Sequence, residues 1–413
     1  MNAFTVVVLF AVISSFAVEW WLSRRQAAHV RAHRHAVPAA FRETIPLEAH
    51  RKAADYTLDK IRLGDLDRGL GLVILLLLTL GGGIDWIQRL WNGFALPAPI
   101  SGTGVILTTL FLIQLLELPL HAYQTFVIEE RHGFNRTTPR QFASDQVLQW
   151  LLGLLLGGPL LALILWLMDS AGNGWWLWAW ALVMGFSILM SWAFPTFIAP
   201  LFNKFTPLQD TALKQRIEAL LERCGFHSQG IFVMDGSRRS GHGNAYFTGL
   251  GHSKRIVFFD TLIETLEQDE LEAVLAHELG HFKRKHVQKM LLASAVLTLA
   301  GFAVLGWLSA QQGFYAGLGV TGPSPAAALL LFMLIAPAFT LFLQPFLAHL
   351  QRRHEFEADD FAASQTRPAH LISALVKLYR DNASTLTPDP LYSAFHYSHP
   401  PAAVRIAHLA SKA

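Results

Sequence analysis

The residues with the clearest capacity for chemistry form one pentad, His277-Glu278-Leu279-Gly280-His281. On a helix, residues four apart lie on one face about a turn apart, so both imidazoles can close on a single Zn²⁺ ion. Glu278 can accept the proton of a water that zinc has acidified to a pKa near ~7, as that water attacks a peptide carbonyl. The pentad predicts a zinc peptidase with His277 and His281 as ligands and Glu278 as general base.

A catalytic zinc ion needs a third protein ligand and an open fourth position, and a later acidic segment offers candidates. Glu355 and Asp359 lie four residues apart and share a helix face, whereas Glu357 points roughly 200° away from Glu355. We expect Glu355 to be the third ligand of one Zn²⁺ per chain, and Asp359 to orient a zinc-bound histidine. Glu357 remains open as an alternative ligand or as a solvated helix charge.

A histidine and an arginine near the C-terminus form a further candidate pair. His399 precedes Pro400 and Pro401, and Arg405 follows six residues after the histidine. A fixed imidazole and a cation can stabilise the oxyanion of a tetrahedral intermediate. A surface helix cap explains the same spacing equally well, so the spacing alone leaves both interpretations open.

The composition indicates that these residues belong to a membrane protein. Of the 413 residues, 52% are hydrophobic and 15% are charged, whereas a soluble domain is typically about 25% charged. The net charge of +3 more simply reflects Lys and Arg in cytoplasmic loops than a nucleic acid partner, which we do not expect. The single cysteine, Cys224, excludes an intrachain disulfide and a zinc site built from several cysteines.

Seven apolar runs are long enough, at about 20 residues of 1.5 Å rise, to cross a ~30 Å hydrocarbon core. They are residues 3–22, 69–91, 101–122, 147–168, 175–202, 288–310 and 326–349. The first has no basic residue before it and is followed by Arg24 and Arg25, the reverse of a cleavable signal peptide. We expect it to remain as a membrane anchor.

The distribution of basic residues predicts the orientation of the spans in the bilayer. Lys and Arg are frequent in residues 23–68, 123–146, 203–287 and 350–413, and absent from residues 92–100, 169–174 and 311–325. The positive-inside rule then predicts an external N-terminus and a cytoplasmic C-terminus. A composition rich in Ala, Leu and Trp, with more Arg than Lys, weakly indicates a bacterial cell membrane.

Distances along the chain predict where the reaction occurs. If the pentad helix runs on into the sixth span, His281 lies about 12 Å from the apolar run, and Glu355 lies about 9 Å beyond the seventh span. Both ligands are therefore expected at the cytoplasmic membrane surface. A membrane-anchored polypeptide is the expected substrate.

The chain divides into four regions on this pattern. Spans one to five and their loops occupy residues 1–202, a soluble peptidase insertion 203–287, spans six and seven 288–350, and a cytoplasmic C-terminal segment 351–413. Within the insertion, residues 210–224 are predicted helical, residues 231–235, 244–248 and 255–259 are predicted strands, and a helix starts near Glu267. The predicted fold class is mainly α, a seven-transmembrane-helix protein with a small α+β, gluzincin-like zinc-peptidase domain.

Several long segments together resemble the type I CAAX prenyl proteases, which are polytopic zinc endopeptidases. In order, they are FVIEERHGFN at 126–135, FIAPLFNKFTPL at 197–208, GSRRS at 236–240, NAYF at 244–247, HELGH, EFEAD and HYSHPP. The resemblance implies that the spans enclose a water-filled chamber, that Glu355 is a ligand, and that His399 and Arg405 line the scissile bond. It also implies that Asn244 and its strand hold substrate as an added β-strand, and that a prenylated Cys-a-a-X tail loses its last three residues.

Three other functions compete with this one. A bacterial source favours a broader role in trimming membrane proteins without regard to prenylation. A stress-response membrane protease with the same pentad is shorter and is not expected to contain both EERHGFN and HYSHPP. A zinc-binding transporter predicts ionisable residues at mid-membrane depth, whereas the His and Glu cluster lies past the span ends.

Overall fold

The computed structural model describes residues 2–226, 228, 230–248 and 255–412. In this part of the chain, short 3₁₀ or π-helical segments such as Gln124–Glu129 and Gly153–Gly157 extend or join the helices. The helices are α1 (Ala3–His33), α2 (Leu47–Leu78), α3 (Gly83–Asn92), α4 (Ala98–Tyr123), α5 (Pro139–Leu152), α6 (Gly158–Ser170), α7 (Trp175–Ala193), α8 (Ala199–Phe202), α9 (Thr211–Arg223), α10 (Asp260–Thr265), α11 (Gln268–Lys283), α12 (His286–Ser309), α13 (Gln312–Gly317), α14 (Pro325–Thr340), α15 (Gln344–Gln365), α16 (Pro368–Asp381), α17 (Pro390–His396) and α18 (Ala402–Ala410). The strands are β1 (Phe205–Pro207), β2 (Ile231–Met234), β3 (Ala245–Thr248) and β4 (Arg255–Phe259).

All seven predicted spans fall on long apolar helices. Six are continuous: Ala3–His33, Ala98–Glu129, Pro139–Ser170, Gly172–Phe202, His286–Ser309 and Pro325–Gln365. The remaining one, second in chain order, is the pair α2 and α3, which are bent by 55° relative to each other. The span predicted over residues 69–91 is therefore bent; Gly82, directly before α3, adopts a φ of 75° that residues with a Cβ rarely adopt.

The spans close into a ring that is packed at one end and hollow at the other. Around the ring each helix contacts the next in the order α1, α2, α4, α6, α7, α12, α14, and α14 returns to α1. At the end carrying the loops without Lys or Arg, a core fills the ring; it includes Val12, Ile87, Ile106, Leu165, Ala179, Leu308 and Leu330. In the other half, α5 has no buried residue, and neither has α12 between His286 and Leu305. This half encloses a chamber, as the resemblance implies.

The peptidase region contains a four-stranded sheet in the order β1-β2-β4-β3. Strand β2 is antiparallel to β1 and parallel to β4, while β3 is antiparallel to β4. The three predicted strands and both predicted helices are confirmed. The sequence prediction missed β1, whose three residues end in a proline at the sheet edge, a position that proline tolerates.

One hydrophobic core joins the insertion to the C-terminal segment. Leu213 and Ile217 of α9, Phe258 of β4 and Leu275 of α11 pack in the same cluster as Leu371 of α16. The peptidase region is thus assembled from the chain segment that precedes the sixth span and the segment that follows the seventh. The division of the chain at residues 203, 288 and 351 stays a prediction.

Candidate metal centre

Helix α11 carries the pentad, and its sequence explains both its start and its position. At the N-terminus, the Glu267 side chain caps the Glu270 backbone amide, and Glu270 returns a carboxylate oxygen to the Glu267 N–H at 2.8 Å. In the pentad itself, Gly280 permits close packing against α15, because a Cβ there would lie 2.9 Å from the Cα of Ala358. This close approach brings the acidic residues of α15 to the histidines of α11.

Three side chains converge on one point at this contact. The Nε2 atoms of His277 and His281 are 3.2 Å apart, Glu355 Oε1 lies 3.3 Å from His281 Nε2, and Glu355 Oε2 lies 3.5 Å from His277 Nε2. Ligand atoms at 2.0–2.1 Å from a tetrahedral zinc ion are about 3.3–3.4 Å apart. Glu355 is buried, and no described residue hydrogen-bonds to its Oε2. The donor set fits a zinc ion.

The outer nitrogen of His277 faces a buried ion pair. Its Nδ1 lies 2.8 Å from Asp359 Oδ1, while Arg405 donates from Nε to Asp359 Oδ2 at 2.9 Å and from Nη2 to Oδ1 at 2.5 Å. Burial and the Arg405 charge oppose protonation of His277, but Asp359 and Glu355 outweigh them and raise its pKa to about 9. Zinc binding at His277 would therefore compete with protonation of this imidazole.

The outer nitrogen of His281 faces a residue that the sequence prediction missed, His286. The two Nδ1 atoms are 3.0 Å apart, and His286 Nε2 lies 3.1 Å from Glu357 Oε2. The expectation that the pentad helix runs on into the sixth span is wrong, because Lys285 adopts a left-handed φ of 59° between α11 and α12. This break turns His286 back toward His281, a contact that no helical periodicity indicates.

Glu357, the alternative ligand, lies on the far side of His286 from the three converging donors. Besides His286, its carboxylate is 3.9 Å from Lys289 Nζ and 3.7 Å from Arg353 Nε. Its side chain is 32% exposed, compared with 6% for Glu355. The structure thus separates the two glutamates as the helix-face argument predicts.

The predicted general base is free of competing contacts. Glu278 is half-buried on α11, and within the described residues its carboxylate has neither a hydrogen-bond donor nor an ion-pair partner. A carboxylate in that state can accept a proton from a nearby water.

His399 reaches the site, and Arg405 lies beneath it. His399 Nε2 is 3.4 Å from Glu355 Oε1, and its side chain is 63% exposed. Loss of bulk hydration lowers the pKa of His399, with Glu355 acting in the opposite direction. Arg405 is buried; its Nη1 is 3.4 Å from Glu355 Oε2 and its Nη2 is 3.3 Å from His277 Nδ1, so it contacts the site residues themselves. Its predicted contact with substrate stays a prediction.

Asn244 lies outside the donor cluster, directly before strand β3. Its carbonyl accepts the backbone N–H of Phe259 at 2.9 Å, and its side-chain oxygen accepts the N–H of Ala245 at 2.8 Å. Strand β3 is at the edge of the sheet, and no strand among the described residues pairs with its outer side. That edge has the hydrogen-bonding groups that an added peptide strand requires.

Comparisons with known proteins match almost the whole chain to one family. Residues 26–204 match the family described as CAAX prenyl protease N-terminal, five membrane helices, and residues 207–413 match peptidase family M48. The CAAX prenyl protease 1 homolog of Arabidopsis thaliana is 34% identical over 95% of this chain and 94% of its own. The CAAX prenyl protease 1 of Saccharomyces cerevisiae is 33% identical over 95% and 92%.

A solved structure extends the match to three dimensions. The crystal structure of S. mikatae Ste24p superimposes with a TM-score of 0.91 at 31% identity and covers 99% of both chains. Both the spans and the peptidase region are included in that coverage. The chain therefore belongs to the CAAX prenyl protease group of the M48 metallopeptidases, a family of multi-pass membrane zinc enzymes.

Proposed function

We propose that this protein is a membrane endopeptidase with one zinc ion per chain, which hydrolyses peptide bonds at the cytoplasmic face of its membrane. The observation that carries the proposal is the convergence of three side chains, those of His277, His281 and Glu355, whose ring nitrogens and carboxylate oxygens lie 3.2 to 3.5 Å apart. The carboxylate of Glu278, which has no partner among the described residues, lies on the same helix as the histidines.

Each residue has a distinct part in this proposal. A bound zinc ion lowers the pKa of water to about 7 and polarises a peptide carbonyl. Glu278 accepts the proton of the attacking water and passes it to the leaving amine. His399, exposed at the mouth of the site, donates a hydrogen bond to the oxyanion. Asn244 and the outer edge of β3 hold the substrate backbone as an added strand.

Asp359 and Arg405 act through the ligands. The carboxylate of Asp359 accepts the Nδ1 proton of His277, which leaves Nε2 free to bind metal. Arg405 contacts both oxygens of Asp359 and also lies close to Glu355. It therefore fixes the carboxylate that orients His277 relative to the ligand Glu355. His286 takes the corresponding position on His281.

The proposed substrate is a membrane-anchored polypeptide with a prenylated C-terminal Cys-a-a-X tail, from which the last three residues are removed. The names of the relatives support this substrate, and so does the position of the site, since His286 and Glu355 lie on helices that continue from the sixth and seventh spans. The loop charge supports a proposed orientation with the N-terminus outside and the C-terminus in the cytoplasm. The composition-based assignment to a bacterial cell membrane stays a prediction, and the relatives named above are eukaryotic.

The test compares wild type with Glu278→Gln, both purified as full chains. We expect equal zinc content and peptidase activity in wild type alone, because the amide cannot accept the proton. Glu264→Gln is a matched control, since Glu264 is exposed, has no described partner and lies outside the site. Undiminished activity in Glu278→Gln would refute the mechanism.

The same preparations test the substrate. A farnesylated Cys-a-a-X peptide and its unprenylated twin are incubated with wild type, and we expect faster cleavage of the farnesylated peptide. Equal cleavage of the two would favour the alternative function, trimming of membrane proteins without regard to prenylation.

A further inference from the structure

A cavity of about 780 Å³ opens beside His399. Its wall is formed by the cytoplasmic part of α2, the end of α16 and the residues around α17, with Ser23 and Gln26 of α1. Because His399 Nε2 is also 3.4 Å from Glu355, the cavity begins at the metal site. Its volume falls within the ~300–1,000 Å³ that encloses a small organic ligand, which is also enough for a short peptide.

The fixed charges of this cavity are positive. Among the described residues that line it, Lys60 and Arg68 are the cations, and no Asp or Glu is present. Burial lowers the pKa of His396, another lining residue, to about 4, so that imidazole is neutral at physiological pH. A space lined by two cations and, among the described residues, by no acid favours an anionic ligand.

The two cations differ in how far they are already neutralised. Arg68 contacts the carboxylate of Asp65, and its Nη1 is 3.9 Å from Glu19 Oε2. Lys60 has no carboxylate within 4.0 Å in the described part of the chain; its ammonium stands 4.9 Å from the ring centroid of Tyr56. The nearby acid Glu129 is engaged by the Tyr56 hydroxyl at 2.6 Å. Lys60 is therefore the cation available to a ligand.

We infer that this cavity is the subsite for the part of the substrate that follows the scissile bond, and that Lys60 pairs with the free carboxylate at the end of the substrate chain. The inference rests on the proposed function, because it takes the cleaved bond to lie at the metal site. A peptidase that removes a short C-terminal segment must place that carboxylate a few residues from the metal. Three extended residues span about 10 Å, and His399 and Lys60 both line this one cavity.

The subsite gives the enzyme a means to recognise the C-terminus of the substrate. An internal peptide segment has no carboxylate for Lys60, and entering the cavity leaves the ammonium unpaired. A chain end supplies the charge that the cavity lacks. Preference for bonds near the C-terminus then arises from one ammonium group rather than from the residues at the metal.

The experiment uses the full-length protein in neutral detergent and two peptides that differ only at the end, one with a free carboxylate and one with a C-terminal amide. We expect wild type to prefer the acid by about 10-fold in kcat/KM, through a lower KM, the factor that a charge-assisted contact provides. Lys60→Met should bring the ratio of acid to amide close to one. Lys60→Arg should keep the preference.

Lys52→Met is the matched control. Lys52 lies on the same helix, is exposed, stands 4.7 Å from the ring centroid of Phe134, and does not line the cavity. It should behave as wild type. A loss of preference in Lys52→Met equal to that in Lys60→Met would overturn the inference, because a general change in net charge would then explain both.

The remaining outcomes separate the subsite from the function on which it rests. If wild type cleaves acid and amide at equal rates, the subsite is refuted while the peptidase stands. If wild type cleaves neither peptide, the proposed function fails and the inference with it. Adding phosphatidylserine tests whether a lipid headgroup is the anion that binds in the cavity. The cavity would be assigned to lipid if phosphatidylserine inhibited wild type but not Lys60→Met and if wild type cleaved both peptides equally.

Discussion

The two histidines of the metal site are held from opposite sides by different kinds of partner. His277 rests against Asp359 and Arg405, whose side chains are 0% and 7% exposed. His281 rests against His286, which is also buried, but the chain of contacts ends at Glu357, whose side chain is 32% exposed. One ligand is fixed by a buried ion pair between α15 and α18, and the other by a relay that reaches solvent.

The difference shows two ways to orient a histidine ligand: His277 is oriented by a charged carboxylate, and His281 by a hydrogen bond to a second imidazole. If Nε2 of His281 binds the metal, its Nδ1 would carry the proton and donate to His286 Nδ1, and His286 would then carry its own proton on Nε2, facing Glu357. The relay is thus a single consistent arrangement of neutral imidazoles. The ion pair on the other side also joins two helices, so it stabilises the fold as well as the ligand.

The largest effect is expected from breaking that ion pair. Arg405→Met leaves the Asp359 carboxylate buried without its cation, which costs about 3–5 kcal/mol in the free energy of unfolding. We expect a large fall in the thermal midpoint of the full-length protein and loss of zinc. Arg353→Met is the control, since Arg353 has a side chain that is 74% exposed and its ion pair lies at the surface.

A double variant sharpens the comparison further. Replacing the pair together, as Asp359→Leu with Arg405→Met, removes the unpaired charge, so much of the stability should return. Zinc affinity should remain low, because His277 still lacks its acceptor. Recovery of wild-type zinc affinity in the double variant would show that the pair supports the fold alone.

The relay on the other side should matter for zinc but less for the fold. His286→Ala removes the acceptor for His281 Nδ1, and the loss of such a partner weakens metal binding about 10- to 100-fold. Competition with a chelator measures the affinity, and the thermal midpoint of the metal-free protein should change little compared with Arg405→Met. His286→Gln should restore part of the affinity, because its amide oxygen can accept the same proton.

His354→Ala provides the control for this prediction. The His354 ring stacks on His286 at a centroid distance of 4.1 Å but makes no contact with a ligand atom. Its removal tests whether packing against His286 is enough to explain the effect. If His286→Ala binds zinc as tightly as wild type, the relay has no part in orienting His281.

Features set by one helix could be predicted from the sequence. The spacing of His277 and His281, and that of Glu355 and Asp359, follows from 3.6 residues per turn, and the structure places all four side chains together. The seven spans follow equally from length and hydropathy. Each depends on residues that are close in sequence, so a local pattern is sufficient.

Features set by a break or by packing could not be predicted in this way. The contact of His286 with His281 depends on the left-handed conformation of Lys285, which a lysine rarely adopts. The pairing of Arg405 with Asp359 joins two residues that lie 46 positions apart in sequence, on two different helices. The place of Lys60 in the cavity depends on α2 meeting the end of α16. A pattern within one segment contains none of this information.

The smallest effect on zinc affinity is expected from Glu357→Gln. This variant tests whether Glu357 or Glu355 is the third zinc ligand. The amide of the substituted side chain retains an oxygen that can accept the His286 proton, and the position is partly solvated, so zinc affinity should fall only a few-fold, below the ~10-fold that marks loss of an orienting partner. Glu355→Gln should abolish zinc binding, because it removes one of three ligands. Both variants exchange one glutamate for glutamine two residues apart on α15, so each is the matched control of the other, with zinc content measured after dialysis. Should Glu357→Gln lose zinc as completely as Glu355→Gln, Glu357 would be a ligand, and the relay through His286 would have to be redrawn as a route to the metal.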